Sequence, residues 1–144
     1  MNPNEKEIIK CLRHGKRVNV SAIAREMKLP VSTVADKIRK IDRKYVIKRS
    51  SLLDYPALGY LSHHMLAVKV NGNAKQEFLD CMKEDRSISS IYHTNSNFTF
   101  LLEIVCKDSY EFVRWIENIR SKYPVDISSF QILKVEDKER FMPE

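Results

Sequence analysis

Apolar residues follow two rhythms along this 144-residue chain. In the first third they recur every three or four residues. Val20, Ile23, Ala24 and Met27 form one such set, and Val34, Ile38 and Ile41 form a second at i, i+4 and i+7. Both spacings put the apolar groups on one face of an α-helix. Leu29-Pro30 separates the two sets, because proline has no N–H to donate and biases the residue before it away from helical dihedrals. Residues 18–43 therefore predict a helix-turn-helix, with the second helix starting at about Val31. An earlier helix opens at Asn2-Pro3-Asn4-Glu5, with Asn2 as N-cap, Pro3 in the first turn and Glu5 in the capping-box position. Ile8, Ile9 and Leu12 give it an apolar face, and Gly15 is the expected stop. Together these segments predict a three-helix core.

The rhythm changes after residue 60. Leu61–Val70 reads as a strand and 71–73 as a turn. Residues 74–83 read as a helix carrying Ala74, Phe78 and Met82, and Ile88–His93 as a short strand. From Phe98 to Cys106 the pattern alternates, with Phe98, Phe100, Leu102 and Ile104 on one face and Thr99 and Glu103 among those on the other. Asp108-Ser109-Tyr110-Glu111 has the form of a capping box, and the helix it opens carries Phe112, Ile116, Ile119 and Tyr123 up to Pro124. Ile127–Leu133 reads as the last strand. The order is βαββαβ, the ferredoxin-like arrangement, whose sheet has helices on one face only. The other face is then available to an oligomer partner. The predicted fold class is α+β: an N-terminal winged helix-turn-helix domain (1–54), a linker (55–60) and a βαββαβ domain (61–144). The wing is expected in residues 44–54, where Val46-Ile47 and Leu52-Leu53 bracket a basic, polar middle. Pro56, Gly59 and a switch in charge sign mark the boundary.

Charge sharpens this division. Residues 1–60 hold 14 Lys and Arg against 6 Asp and Glu, whereas residues 61–144 hold 11 against 13. The excess of positive charge thus sits on the helix-turn-helix half and points to a polyanion. A membrane surface is disfavoured, because no basic helix has a large exposed apolar face. The polar N-terminus and the lack of any long apolar run predict a cytoplasmic protein. Cys11, Cys81 and Cys106 are far apart and make no CxxC, so free thiols in a reducing compartment are expected.

The polar face of the second helix offers the candidate chemistry. Ser32 and Thr33 lie in its first turn, where base edges are approached, although such residues are also ordinary helix starters. Asp36 on the same face repels phosphate, so its roles are a cytosine amino group or holding a neighbouring cation. Lys37, Arg39, Lys40 and Arg43 are candidate phosphate anchors, with guanine as the alternative for Arg39 or Lys40. Arg25 on the preceding helix and Lys48 and Arg49 beyond are further backbone candidates. A solvated amphipathic face is the plainer explanation of the same pattern. His63 and His64 are adjacent in a strand, point to opposite faces and cannot share a metal. With His93 they read as surface or interface residues, and Tyr110 and Trp115 as packing residues. No metal or cofactor is expected.

A three-helix basic domain, a short linker and a βαββαβ domain, in this order and spacing, resemble the Lrp/AsnC (feast/famine) family of transcription regulators. The carrying stretch is VNVSAIAREMKLPVSTVADKIRKIDRKYVIKRSSLLDYPALGY. Tyr45-Val46-Ile47, Leu52-Leu53-Asp54 and Leu58-Gly59-Tyr60 resemble the family's linker elements, and Met65–Val70 its first sensor strand. The resemblance implies double-stranded DNA as partner, a homodimer that can associate to an octamer, and a RAM-type βαββαβ domain that assembles the oligomer. It also implies pairing of the segment around Ile47–Leu52 between chains. An amino acid or other small-molecule effector is implied at the loop Asn95, Ser96, Asn97 and Thr99. In that loop Ser96 stands where the family has Gly and Thr99 where it has Asp, so the acid that would pair with an amino-acid ammonium is missing.

Two other functions fit parts of the pattern. One is a low-specificity architectural DNA binder that wraps DNA around a large oligomer. The other is a siroheme-decarboxylase-like enzyme, which shares the domain plan. It has only His63, His64, His93 and Arg114 as loose candidates, and no nucleophile–base pair or phosphate loop, so the sequence reads as that of a protein without catalytic residues.

Overall fold

The computed structural model describes residues 3–13 and 19–141; Asn2, Gly15 and Val18 lie outside the described residues. The chain divides into two compact units, Met1–Leu52 with Asp137–Glu144, and Leu53–Glu136.

The first unit contains α1 (Pro3–Arg13), α2 (Val20–Glu26) and α3 (Val31–Tyr45). Ile8, Ile23, Ala24, Val34, Ile38 and Ile41 meet in its core, with Leu12, Val20, Met27 and Leu29 packed around them. The stripes read from the sequence are therefore the faces that pack. Burial of each Ile contributes on the order of 1.5–3 kcal/mol. Asn19, which the sequence reading passed over, caps α2 by accepting from the Ala22 N–H at 3.1 Å. The turn into α3 is made by Lys28 in the left-handed region, at φ +53°. Leu29 N–H donates to Ala24 C=O at 3.0 Å across it. Pro30 then precedes α3 and supplies no side-chain cap.

Residues 46–54 form no strand, contrary to the wing expected there. Ile47, Leu52 and Leu53 are exposed, and among the described residues none of 46–54 takes part in a strand pair. The C-terminal segment of this unit is tied to α1 by Arg13, which donates to the Glu139 carbonyl and pairs with its carboxylate at 3.5 Å.

The second unit opens with a short 3-10 turn, Pro56–Leu58, ended by Gly59 at φ +84°. It continues as β1 (Ser62–Val70), α4 (Lys75–Glu84), β2 (Ile88–His93), β3 (Phe100–Cys106), α5 (Ser109–Lys122) and β4 (Val125–Gln131). The antiparallel sheet has the order β2-β3-β1-β4, the ferredoxin-like topology that the element order predicts. Leu66, Val68, Val70, Phe100, Leu102, Ile104 and Cys106 face Phe78 and Met82 of α4 and Phe112, Trp115 and Ile119 of α5. Asp108 caps α5 as expected, accepting from the Glu111 N–H at 2.8 Å. The returning bond goes one residue further back, from the Lys107 N–H to Glu111 Oε2 at 2.6 Å.

Several strand bounds differ from those expected: β1 starts at Ser62 rather than Leu61, and β4 ends at Gln131 rather than Leu133. β3 starts at Phe100, because Phe98 and Thr99 belong to the turn. β4 runs from Val125 rather than Ile127, because Val125 directly after Pro124 pairs with Val70 at the far end of β1. Both histidines of β1 are buried, not at the surface. His64 stacks on Phe112 at 3.7 Å between ring centroids and shares a 2.9 Å hydrogen bond with Ser62 Oγ. His63 lies on the opposite face, with its Nε2 2.8 Å from Glu103 Oε1. Ser90 Oγ donates to Glu103 Oε2 at 2.8 Å, and the Tyr55 ring stands edge-on to His63. Glu103 is only 3% exposed, so this face of the sheet holds a buried polar cluster.

Candidate nucleic-acid interface and ligand loop

The apolar stripe of α3 fixes which side chains point away from the core. With Val34, Ile38 and Ile41 buried, Ser32, Asp36, Arg39, Lys40 and Arg43 are exposed, and Thr33 and Lys37 flank them half-buried. This is the grouping that 100° per residue predicts. Arg25 is exposed on α2 and reaches the Ser21 carbonyl at 3.5 Å. The uncapped start of α3 leaves first-turn N–H groups beside Ser32 and Thr33, an arrangement suited to an anion.

Two carboxylates organise the cations. Asp36 Oδ1 accepts from Arg39 Nη2 at 2.7 Å, one turn along the same face. Asp42 Oδ1 accepts from Arg49 Nη2 at 2.5 Å and draws the first residues after α3 back onto the helix. Both pairs are largely open to solvent, so each contributes at most about 1 kcal/mol to stability. Their effect is orientation. Lys37, Lys40, Arg43 and Lys48 form no ion pair among the described residues. The hold of Asp42 on Arg49 was not foreseen; its only trace in the sequence is an acid seven residues before an arginine.

The loop between β2 and β3 borders a cavity of about 200 Å³. Ser96, Asn97 and Thr99 line it, and Asn95 does not. Most of the loop's hydroxyl groups are engaged locally. Thr99 Oγ1 accepts from the Val70 N–H at 3.1 Å, Ser96 Oγ accepts from the Phe98 N–H at 3.2 Å, and Thr94 Oγ1 donates to the Phe98 carbonyl at 2.6 Å. Lys69, Lys75 and His93, which the sequence reading did not connect with this loop, complete much of the wall. A larger groove of about 900 Å³ runs along α5, and its lining mixes Asp108, Glu111 and Glu117 with Lys107 and Arg114. Among the described residues, no three or more His, Cys, Asp or Glu converge as metal ligands. No described helix is long and apolar enough to cross a membrane.

No protein-family model matches the chain. It is 28% identical over 118 residues to the HTH-type transcriptional regulator FL11 of Pyrococcus horikoshii, covering 81% of this chain and 78% of that protein. Its fold matches that of AsnC from Escherichia coli, at 12% identity and a TM-score of 0.87 over 99% of both chains. It equally matches the feast or famine regulatory protein of Mycobacterium tuberculosis complexed with L-methionine, at 18% identity and a TM-score of 0.85 over 99% of both chains. The chain is thus related in sequence to helix-turn-helix transcription regulators and has the fold of the Lrp/AsnC family.

Proposed function

We propose that this chain is a sequence-specific, DNA-binding transcription regulator of the Lrp/AsnC type, and not an enzyme. The observation that carries the reading is α3: an apolar stripe buried in a three-helix core, with Ser32, Thr33, Lys37, Arg39, Lys40 and Arg43 on and beside the opposite face. In this reading residues 1–54 bind DNA, residues 55–60 link, and residues 61–144 assemble the oligomer. Ser32 and Thr33 approach base edges, Asp36 presets Arg39, and Arg25, Lys37, Lys40, Arg43, Lys48 and Arg49 reach phosphates. The regulator works in the cytoplasm as a dimer or a larger closed assembly. The exposed 46–54 segment pairs between chains, and the sheet face opposite the helices packs on a second copy. A small effector occupies the loop cavity at Ser96, Asn97 and Thr99.

Selection of bound sites from random duplex DNA, followed by salt titration on the winners, tests this. The expected outcome is a palindromic consensus whose half-sites lie about one helical turn, or a multiple of it, apart. Lys40→Ala and Arg43→Ala each weaken binding to every duplex and lower the salt slope by about 1. Tight binding without a consensus favours the architectural function. Unchanged affinity in both variants refutes the assignment of α3.

A further inference from the structure

The loop cavity differs from an amino-acid site in its charge. A zwitterionic amino acid presents an ammonium and a carboxylate, and a site that recognises both needs an anionic or strongly accepting group for the first. The wall contains no Asp or Glu: it is formed by Lys69 and Val70 from the end of β1, Lys75 at the start of α4, His93 at the end of β2, and the 94–99 turn. Thr99, the residue nearest in sequence position to the missing acid, is neutral and holds the Val70 N–H. Asp126 stands opposite Lys69 in the β1–β4 register, but it is not part of the wall, and its carboxylate takes a hydrogen bond from Asn71 at 3.2 Å. Lys69 and Lys75 form no ion pair among the described residues. Two unpaired ammonium groups therefore border one small polar cavity. At about 200 Å³ it lies below the roughly 300–1,000 Å³ typical of drug-sized ligands, a size that suits a small molecule.

We propose that this cavity binds a small dianion, a dicarboxylate or a phosphate, between Lys69 and Lys75, and that it rejects zwitterionic amino acids. The proposal rests on the effector part of the reading above and gives that site its ligand class. The ligand's negative charge meets both ammonium groups, each of which acts as a flexible point charge. Asn97 and His93, also in the wall, add further hydrogen-bonding groups.

Calorimetric titration of the full chain with succinate, inorganic phosphate and L-methionine, at matched ionic strength, tests it. Succinate or phosphate is expected to bind at least tenfold more tightly than L-methionine, and the pair of anions separates the carboxylate source from the phosphate source. Lys69→Gln and Lys75→Gln are each expected to weaken the dianion about tenfold, while Lys69→Arg and Lys75→Arg retain it; the arginine variants separate loss of charge from loss of folding. L-methionine binding as tightly as the dianions, no heat from any of the three, or dianion binding indifferent to both glutamine variants overturns the proposal. Binding to a selected duplex is measured on the same preparations. If the unaltered chain shows no preference for the selected duplex over random duplex while dianion binding is intact, the regulator is refuted and the ligand class stands.

Discussion

Removing the Glu103 carboxylate gives the sharpest test of how the sheet is held. Its two oxygens take hydrogen bonds from His63 on β1 and Ser90 on β2, so this one β3 side chain bridges three strands. It is 3% exposed and His63 is 8% exposed, so water replaces neither bond readily. Leaving a buried polar group without its partner costs about 1–3 kcal/mol, and the Glu103 side chain serves two of them, His63 and Ser90. Glu103→Ala is therefore expected to destabilise the sheet unit by about 2–6 kcal/mol. His63→Ala should cost less, about 1–3 kcal/mol, because Ser90 still satisfies one carboxylate oxygen. The double variant should fall short of the sum by about 1–3 kcal/mol, the coupling of residues in direct contact. For a unit of this size, each kcal/mol moves Tm by about 4–8 °C. Thermal denaturation of the four proteins at one fixed protein concentration reads the cycle, since assembly makes Tm concentration-dependent. Additivity within about 0.5 kcal/mol would refute the coupling and reduce the pair to two independently buried side chains.

Three further outcomes follow from the same structure. Ile41→Ala, at a fully buried position in the three-helix core, should cost about 2–5 kcal/mol and abolish DNA binding at elevated temperature although Ile41 faces away from the DNA-reading surface; band shifts at two temperatures check this. Asp108→Ala should lower stability by about 0.5–2 kcal/mol through the lost α5 cap, read from urea midpoints, and Asp108→Asn should recover most of it. Burial first, and the neighbouring His63 second, hold the His64 imidazole below its ordinary value of 6.5, so the folded chain resists a proton that the unfolded chain accepts. Stability is then complete above about pH 6.5 and falls as pH drops from there toward the lowered folded value; His64→Phe should flatten that fall in urea melts, and an unchanged slope would refute it.

Much of this was legible in the chain because the apolar stripes are uninterrupted. Val34, Ile38 and Ile41 name both the buried face of α3 and, by subtraction, its exposed cations. The βαββαβ order followed from turn residues and from one alternating strand. What escaped the sequence is what depends on neighbours. β3 is flanked by β1 and β2, and on the face away from the helices His63 and Ser90 of those strands close around Glu103 with the Tyr55 ring against His63, so Glu103 and Val105 are buried although Glu103 reads as an outward-facing residue. The same cover takes His63 out of solvent. The sequence signal was a lone acid in the most regular strand, and an acid there needs a partner. Residues 46–54 have the composition of a strand, yet backbone pairing needs a second strand, which composition cannot supply. The cavity wall joins β1, the start of α4 and the end of β2, so Lys69, Lys75 and His93 meet only after the sheet has closed.

The strand order also sets a timetable for synthesis. β1 lies between β3 and β4, and its second edge is completed only by Val125–Gln131, near the end of the described chain. At about 5–20 residues per second, the interval between making β1 and making β4 is on the order of 3–12 s. Throughout that time one row of β1 backbone donors and acceptors is open on a largely apolar strand. The three-helix core joins only residues between Ile8 and Ile41 and can form before the C-terminal segment that Arg13 holds has been made, while the sheet must wait for its last strand. A growing chain of this protein therefore passes through a stage with its head folded and a sticky central strand unpaired, which makes β1 the segment that a chaperone has most reason to cover.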